Sequence, residues 1–290
     1  ICEIEPYASG IRGIHVPTTG ITDFKAVSFK YAEIIKQNGW EILTGCGVQR
    51  IVRHPDAIVL ETPCGAVHTS FAVNCAGLQS DLIAKMAGAN LGLRIVPFRG
   101  EYYELVPSKC HLIKGLVYPV ADPKFPFLGV HFTRRINGGV EAGPNAVFSF
   151  KREGYSRTSF NLEDTLSAAF FPGFWQMAAK HWQSGLGEFY RSWNKRAFTN
   201  ALQKLLPDIT EKDVQPGEAG VRAQALDNLG NLLDDFCFIR QDRFLHVCNV
   251  PSPAATASLV IGREIVSKIE EYTDFSNVQV AVGPSSSINN

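Results

Sequence analysis

The sequence lacks an excess of charge of either sign, and this absence excludes several classes of partner. It has 28 Lys and Arg against 28 Asp and Glu, a formal net charge of zero. Nucleic acids and anionic membrane surfaces are bound mainly through excess basic side chains, so neither is expected as the main partner. No apolar run approaches the length of a membrane span. At 290 residues the chain can fill one large soluble domain or two ordinary ones.

Cysteines at close, paired spacing are also lacking. The seven cysteines are scattered and odd in number: Cys2, Cys46, Cys64, Cys75, Cys110, Cys237 and Cys248. None of their spacings is that of a zinc site, so no metal is expected. We predict reduced intracellular thiols and a cytoplasmic protein, with peripheral attachment to a membrane as the alternative.

A signal peptide and an initiating Met are missing as well. The sequence starts at Ile1, and its first residues have the character of the middle of a domain. We therefore expect a fragment of a longer protein.

Turn and capping residues divide the first 90 residues into an α/β pattern. Residues 11–21 predict a short strand, and Asp23 predicts the N-cap of a helix that stops near Gly39. Residues 71–77 predict a buried strand that leads through small residues into a helix over 80–87, the half-unit of a nucleotide-binding sheet. Between them, a strand meander is predicted from β-rich pieces at 41–43, 48–53, 57–62 and 65–68.

Aromatic strands dominate the next part of the chain. An antiparallel sheet is predicted from residues 97–105, 116–120, 127–134 and 140–146. Arg99 and His131 lie inside these apolar strands, where a polar side chain needs a partner or a ligand. Residues 162–206 predict helices, and we expect their aromatic side chains to be core: Phe170, Phe171, Phe174, Trp175, Trp182, Phe189, Tyr190 and Trp193. Further strands are predicted at 220–226, 236–239 and 246–250.

The last predicted strand leads into a turn and helix rich in small residues. Ser252 or Thr256 is expected to cap this helix, and Pro253 suits its first position. Unpaired N–H groups in a first helical turn favour a negative or electron-rich partner, and Ala254 and Ala255 leave room for a flat ligand. An ordinary capped helix without a ligand explains the stretch equally well.

Taken together, several motifs resemble the FAD-dependent oxidoreductases of the D-amino-acid oxidase and glycerol-3-phosphate dehydrogenase superfamily, most closely its L-2-hydroxyglutarate-oxidising members. The resemblance covers nearly the whole chain. It rests on GIHVPTTGITD at 13–23, NCAGLQSD at 74–81, PFRGEYY at 97–103, the run 118–145, GVRAQ at 220–224 and PSPAATAS at 251–258.

The resemblance implies an α/β flavoprotein with two parts. One part would be a Rossmann-like, glutathione-reductase-type FAD-binding domain at residues 21–95 and 213–272. The other would be a mixed, largely antiparallel substrate-binding domain at 1–20 and 96–212, followed by a tail at 273–290. The family's first βαβ unit with its Gly-x-Gly-x-x-Gly turn has no counterpart in the sequence, so we expect weak or no FAD binding by this chain. The remaining FAD contacts implied are Val48, Cys75, Ala76, Gly77, Ser252, Pro253, Ala254, Ala255 and Thr256. Cys75 is expected to pack beside FAD and not to act as a nucleophile.

Oxidation of a 2-hydroxy acid needs a cationic group for the carboxylate and a base for the hydroxyl proton. Arg222 and Arg99 are the candidate carboxylate ligands, although each could equally form a structural ion pair. His131 is favoured as the base over His15, because it lies in the expected substrate sheet. Hydroxyl groups that could orient the substrate belong to Tyr102, Tyr103 and Thr133.

Three hypotheses about function follow from these residues. The first is oxidation of L-2-hydroxyglutarate to 2-oxoglutarate, with FAD as hydride acceptor and a membrane quinone or oxygen as final acceptor. The second is a related FAD-dependent enzyme for an amine or for glycerol 3-phosphate. The third is a non-catalytic fragment of such an enzyme.

Overall fold

The computed structural model describes residues 1–120 and 129–272, which form three β-sheets and the helices packed around them. The helices are α1 (Phe24–Gln37), α2 (Ser80–Met86), α3 (Leu162–Ala169), α4 (Pro172–Trp193), α5 (Lys195–Leu202) and α6 (Ser258–Tyr272). The strands are β1 (Arg50–Arg53), β2 (Ile58–Thr62), β3 (Gly65–Thr69), β4 (Ala72–Asn74), β5 (Leu93–Leu105), β6 (Leu116–Val117), β7 (His131–Arg134), β8 (Val140–Gly143), β9 (Val147–Phe148), β10 (Val214–Asp227), β11 (Cys237–Gln241) and β12 (Phe244–Asn249).

Helix α1 begins and ends where the sequence predicts. The side chain of Asp23 accepts hydrogen bonds from the backbone N–H groups of Lys25 and Ala26. The chain leaves the helix through Gly39, whose φ of +82° lies in the left-handed region that favours glycine.

Strands β1, β2 and β3 form the predicted antiparallel meander. A disulfide joins Cys46, just before β1, to Cys64 in the β2–β3 turn. The prediction that all seven cysteines are free thiols is therefore wrong for this pair. Sequence spacing could not reveal it, because the two residues are 18 positions apart and meet only through the pairing of the strands.

A second three-stranded sheet contains the nucleotide-type half-unit. Strand β4 pairs in parallel with β12, which pairs antiparallel with β11. Helix α2 follows β4 through a short 3-10 turn at Gly77–Gln79. The predicted order of strand, small-residue turn and helix is confirmed.

The largest sheet has the strand order β10-β5-β8-β7-β6, with β9 also paired to β5. Strand β10 runs antiparallel along the whole of β5, so this sheet crosses the predicted domain boundary at residue 213. Its main hydrophobic core lies against α5 and contains Tyr103, Leu105, Leu112, Ile113, Phe132, Val140, Ala142, Phe198, Leu202, Leu206, Ile209 and Val214.

Helix α4 packs on the opposite face of the same sheet, near the start of β5. Phe171 and Met177 contact Val96, Phe98 and Leu226 there. The expectation that the aromatic residues of this region are all core is wrong for five of them, which are more than half exposed: Phe170, Trp175, Trp182, Tyr190 and Trp193.

Other predicted elements differ from the structure. Residues 11–21 and 41–43 have irregular backbone instead of strands, and residues 9–26 are all exposed. Residues 251–257 form turns, so α6 starts at Ser258 and Pro253 is not its first residue. Residues 127–128 of a predicted strand and the predicted tail at 273–290 lie outside the described residues. Within 1–120 and 129–272, we find no helix with the length and hydropathy needed to span a bilayer.

Candidate active site

Side chains of β5 alternate between the two faces of the large sheet, and this alternation separates its polar residues. Tyr103 and Leu105 point into the core with α5, so Tyr102 lies on the other face. Arg222 of β10 is directly opposite Phe98 of β5 and shares the face of Tyr102. The positive charge of Arg222 lies close enough to the Tyr102 hydroxyl to lower its pKa, against the larger effect of burial.

His131 and Thr133 are two residues apart on β7, so both project from this same face. Tyr118, just after β6, stacks its ring on the His131 imidazole with ring centroids 4.0 Å apart and planes inclined by 17°. The Tyr118 hydroxyl lies 3.0 Å from Thr133 Oγ1. The sheet therefore brings together four predicted site residues: His131, Thr133, Tyr102 and Arg222.

The environment of His131 favours a neutral imidazole. Burial lowers its pKa most, the positive charge of Arg222 lowers it further, and the hydrogen bond to Gly129 acts in the opposite direction. His131 Nδ1 lies 3.0 Å from the backbone oxygen of Gly129. A carbonyl oxygen only accepts, so Nδ1 carries the proton and Nε2 keeps its lone pair.

Tyr102 is held in its neutral form by similar means. Burial raises the pKa of its hydroxyl, and this effect exceeds the opposing influence of Arg222. A neutral phenol beside a guanidinium can donate a hydrogen bond to an anionic ligand.

Gly143 allows the strands that carry these residues to approach. It is paired with His131 and has a φ of +145°. A Cβ at this position would come within 2.9 Å of Glu101 O and 3.2 Å of Tyr102 Cα. Only glycine fits between β7 and the Tyr102 backbone without displacing them.

Carboxylates that sequence reasoning missed border the site. Glu141 and Glu104 lie on β8 and β5, and Arg135 contacts them at 2.9 and 3.6 Å. Burial raises the pKa of Glu141, while Arg135 lowers it and Glu104 and Glu218 raise it. The sequence around Glu104 and Glu141 has no motif that marks them as functional. The two side chains come together only because Glu104 of β5 is paired with Glu141 of β8.

The Arg99 side chain is buried in an ion pair with Glu101. Its guanidinium is 4% exposed and donates from Nε and Nη2 to Glu101 Oε1 at 3.0 and 2.8 Å. Nη1 donates to the backbone oxygen of Ser156. Arg99 is therefore a structural ion-pair residue, the alternative left open by the sequence.

Two other candidates also lie away from the cluster. Tyr103 is 3% exposed and packs its ring on Phe198, with centroids 4.7 Å apart, so it belongs to the core. His15 lies in the exposed, irregular stretch before α1, whereas His131 is buried among polar neighbours. Of the two histidines, His131 therefore lies within the cluster and His15 lies outside it.

A second concave site lies between the meander, the end of β4 and α2. This cleft has a volume of about 540 Å³. It is lined by Val48, Cys75 and Ala76 from the predicted cofactor contacts and by other, mostly apolar residues: Cys46, Gly47, Ile51, Leu60, Ala72, Val73, Asn74, Gln79, Leu82, Ile83, Met86 and Phe244. The Cys75 thiol is exposed at the cleft, and partial desolvation raises its pKa, which disfavours the reactive thiolate.

A buried polar network that the sequence did not reveal supports the turn beside this cleft. Asn74 Oδ1 accepts from the N–H of Ala76, and Asn74 Nδ2 donates to Ser80 O. The same Nδ2 lies 3.1 Å from Nδ1 of the fully buried His246. This network fixes the backbone at Cys75 and Ala76.

The remaining predicted cofactor contacts are not part of the cleft lining. Gly77 has a φ of +53° and begins the short 3-10 turn before α2. In the turn at 251–257, Thr256 Oγ1 donates to Pro253 O, so that hydroxyl closes a local turn and does not cap α6.

The family described as FAD dependent oxidoreductase (DAO) matches residues 1–268. The chain is 50% identical over 259 residues to the L-2-hydroxyglutarate dehydrogenase of Indibacter alkaliphilus, which covers 89% of this chain and 65% of that protein. It is 42% identical over 269 residues to the L-2-hydroxyglutarate dehydrogenase of Escherichia coli K12, which covers 92% of this chain and 64% of that protein.

The chain thus spans less than two thirds of the length of these relatives. Among solved structures, it is similar in fold to the L-alpha-glycerophosphate oxidase from Mycoplasma pneumoniae with FAD bound. That match has a TM-score of 0.60 at 17% identity and covers 93% of this chain and 62% of that one.

Proposed function

Because the chain belongs to the FAD-dependent oxidoreductases of the DAO family, we propose that the whole protein oxidises L-2-hydroxyglutarate to 2-oxoglutarate with FAD as the hydride acceptor. Two curated relatives that match about nine tenths of the chain carry the name L-2-hydroxyglutarate dehydrogenase. The observation that carries the proposal is the meeting of Arg222, Tyr102 and His131 on one sheet face. These are the cation, the donor and the base that a 2-hydroxy acid requires.

In this proposal Arg222 and Tyr102 bind one substrate carboxylate. A guanidinium carries its five N–H donors in a planar fork that matches the two oxygens of a carboxylate. A bidentate contact fixes the orientation of the acid as well as its position. Thr133, half-buried between His131 and Arg135, supplies a further hydroxyl on the same face.

His131 is the proposed general base. With Nδ1 bonded to Gly129 O, its Nε2 lone pair can accept the proton of the substrate hydroxyl. The lowered pKa keeps the ring neutral at pH 7, as this role requires. His15 is the alternative base only if the exposed stretch around it moves to the substrate.

The cleft between the meander and α2 fits one end of FAD. Its 540 Å³ is in the usual range for a small-molecule pocket, and its apolar walls suit an aromatic base. Val48, Cys75 and Ala76 would hold that end, and the turns at Gly77 and at Ser252–Thr256 would contact the rest. The sequence contains no Gly-x-Gly-x-x-Gly turn for the pyrophosphate. When bound, FAD supplies the two-electron acceptor.

We also propose the domain division given above, with one change. The meander and the β4–β12–β11 sheet would form the FAD part, and the large sheet with its helices the substrate part. Strand β10 would be shared, because it pairs with β5 and then continues toward β11.

A membrane quinone is the proposed final electron acceptor, with oxygen as the alternative. Support comes from the outer side of α4, which carries Trp175, Trp182, Leu186, Tyr190 and Trp193, each at least 58% exposed. Their spacing places them on one side of a helix, and the kink at His181 leaves both flanking tryptophans exposed.

The chemistry of this helix suits a lipid interface. Tryptophan and tyrosine are enriched where membranes meet water. Residues 172–196 hold four Lys or Arg and one Glu, a local cationic excess in a chain of zero net charge. Peripheral attachment through α4 would bring the protein to a quinone dissolved in the bilayer.

Vesicle flotation tests this attachment. We expect the chain to float with phosphatidylcholine vesicles, more strongly when phosphatidylglycerol is included, and the combined variant Trp182→Gln, Leu186→Gln, Trp193→Gln to remain unbound. The alternative is that this face of α4 joins two copies of the chain. Light scattering tests it, because such a contact would give a dimer in the absence of lipid. Such a dimer, or flotation of the variant, would overturn the lipid assignment.

The catalytic proposal is tested by spectroscopy of the 290-residue chain mixed with FAD. Because the chain lacks the Gly-x-Gly-x-x-Gly turn, FAD is added at a concentration high enough to fill a weak site, and bleaching of the flavin on anaerobic addition of L-2-hydroxyglutarate supports the proposal. D-2-hydroxyglutarate, glycerol 3-phosphate and amines serve as controls, and faster bleaching by one of these would favour a related oxidoreductase. If flavin does not bind, the third hypothesis, a non-catalytic fragment, would hold for this chain.

A further inference from the structure

The pairing of β6 with β7 places the Tyr118 ring over the His131 imidazole. Leu116 of β6 is paired with Thr133 of β7, so Tyr118 extends past the strand on the side of the sheet that carries His131 and Thr133. Its ring covers one side of the imidazole at 4.0 Å, while 47% of the Tyr118 side chain stays exposed.

Two anchors fix this arrangement. The hydroxyl of Tyr118 meets Thr133 Oγ1 at 3.0 Å, which sets the position of the ring along β7. On the imidazole, Nδ1 donates to Gly129 O at 3.0 Å, which sets the rotation of the histidine about its side-chain bonds. The His131 side chain is therefore restrained both at its edge and on one face.

We propose that Tyr118 is a positioning residue for His131, whose stacked ring, anchored by Thr133, holds the imidazole in one orientation and one tautomer for proton transfer. The inference deepens the proposed function and rests on it for the identity of the reaction. Thr133 then acts through Tyr118 and does not itself need to touch the substrate.

His131 alone accounts for the proton that leaves the substrate hydroxyl. The hydride needs a separate acceptor. The substrate O–H bond breaks and an Nε2–H bond forms, so His131 gains one positive charge. Bound FAD would supply the acceptor for the hydrogen on the substrate's carbon and its electron pair, and the C–O single bond would then become a carbonyl. A tyrosine ring face stabilises the imidazolium that forms, because ring faces attract cations.

Charged and titratable groups face His131 from several elements. Arg222 of β10 acts on it directly, and Tyr102 of β5 is linked to that guanidinium. Tyr118 covers it from beyond β6, and β8 contributes the uncharged Gly143 opposite. Burial is the largest cause that lowers the pKa of His131, so a smaller residue at position 118 admits water and raises that pKa.

The first test follows His131 directly by NMR in the FAD-loaded protein. Imidazole signals of the seven histidines are titrated, and the His131 signal is assigned by its loss in His131→Gln. Tyr118→Ala is expected to raise the pKa of His131 and to populate both neutral tautomers. Tyr118→Phe keeps the stack and is expected to leave the pKa nearly unchanged. An unmoved pKa and a single tautomer in Tyr118→Ala would overturn the inference.

Kinetics supply the second readout. Tyr118→Phe and Thr133→Val each remove one side of the same hydrogen bond, and each is expected to lower kcat roughly 3- to 10-fold with little change in KM. The double variant is expected to equal either single variant, because the pair acts as a unit. Multiplied losses in the double variant would show independent roles and contradict the proposal. Tyr155→Phe, at an exposed tyrosine outside the cluster, is the matched control.

The two tests separate failure of this inference from failure of the proposed function. If Tyr118→Ala changes the pKa and tautomer of His131 but no 2-hydroxy acid is oxidised, the positioning role stands and the substrate assignment falls. If L-2-hydroxyglutarate is oxidised and Tyr118→Ala changes neither the pH profile of kcat/KM nor the NMR titration, the positioning role falls.

Discussion

Replacing Arg222 by methionine is expected to weaken substrate capture without unfolding the protein. Arg222 is exposed, so its loss leaves no buried charge behind. A hydrogen bond to a charged group contributes about 1.5–3 kcal/mol, and a bidentate contact has two. Because the site is open to water, we take the lower end, about 3 kcal/mol, which is roughly a hundredfold loss in kcat/KM.

The same substitution at Arg99 is the matched control, with the opposite readout. Glu101 is 5% exposed; burial raises its pKa, but hydrogen bonds from Asn145 and Arg99 and the charge of Arg157 lower it by more, so the net shift is downward. Breaking such a buried pair costs about 3–5 kcal/mol of stability. Arg157 remains 3.5 Å from the Glu101 carboxylate, so we expect a cost near 3 kcal/mol in the free energy of unfolding.

The assay combines steady-state kinetics with urea denaturation of both variants. Arg222→Met should change KM and leave the denaturation midpoint and the flavin content unchanged. Arg99→Met should change the midpoint, with KM unchanged in the fraction that remains folded. Arg222→Lys should recover only part of the loss, because an ammonium lacks the planar fork. If Arg222→Met has the kinetics of the unmodified protein, or if the two readouts are exchanged, the assignment of the two arginines is refuted.

Three shorter predictions test other parts of the structure. Gly143→Ala should displace Tyr102 and lower kcat/KM at least tenfold, because the added Cβ meets backbone at 2.9 Å; unchanged kinetics would contradict the close approach. Stability should fall as the pH decreases below about 6.5, since burial lowers the pKa of His246 and the unfolded chain takes up its proton first; denaturation of His246→Gln should show a shallower pH dependence. Reducing the Cys46–Cys64 bond, which spans 18 residues, should cost about 3 kcal/mol in the meander, measurable by hydrogen exchange.

Local signals in the sequence were sufficient for most elements. Asp23 and Gly39 bound α1 because capping and left-handed backbone depend on single residues. The prediction failed at residues 11–21, where alternating apolar residues predict a strand but the described structure gives them no pairing partner. A strand needs a neighbour, and the sequence of one segment cannot report whether that neighbour exists.

The two candidate arginines show a second limit. Arg99 and Arg222 both lie in strands beside glycine-containing motifs, and nothing local distinguishes them. Register decides their roles, because Arg222 is paired with Phe98 and not with Arg99, which places the two guanidinium groups on opposite faces. One is then buried against Glu101, and the other is exposed beside Tyr102.

The alternation of side chains between the two faces of the large sheet also links stability to function. In the second half of β5, the face that carries Tyr103 packs on Phe198 and forms part of the hydrophobic core. The opposite face, which carries Tyr102, has polar side chains. A one-residue shift of β10 against β5 would exchange the faces, moving Arg222 to the face of Arg99 and Val221 to the face of Tyr102. The long pairing of these two strands therefore keeps the proposed site in position, so substitutions that weaken it should reduce activity and stability together.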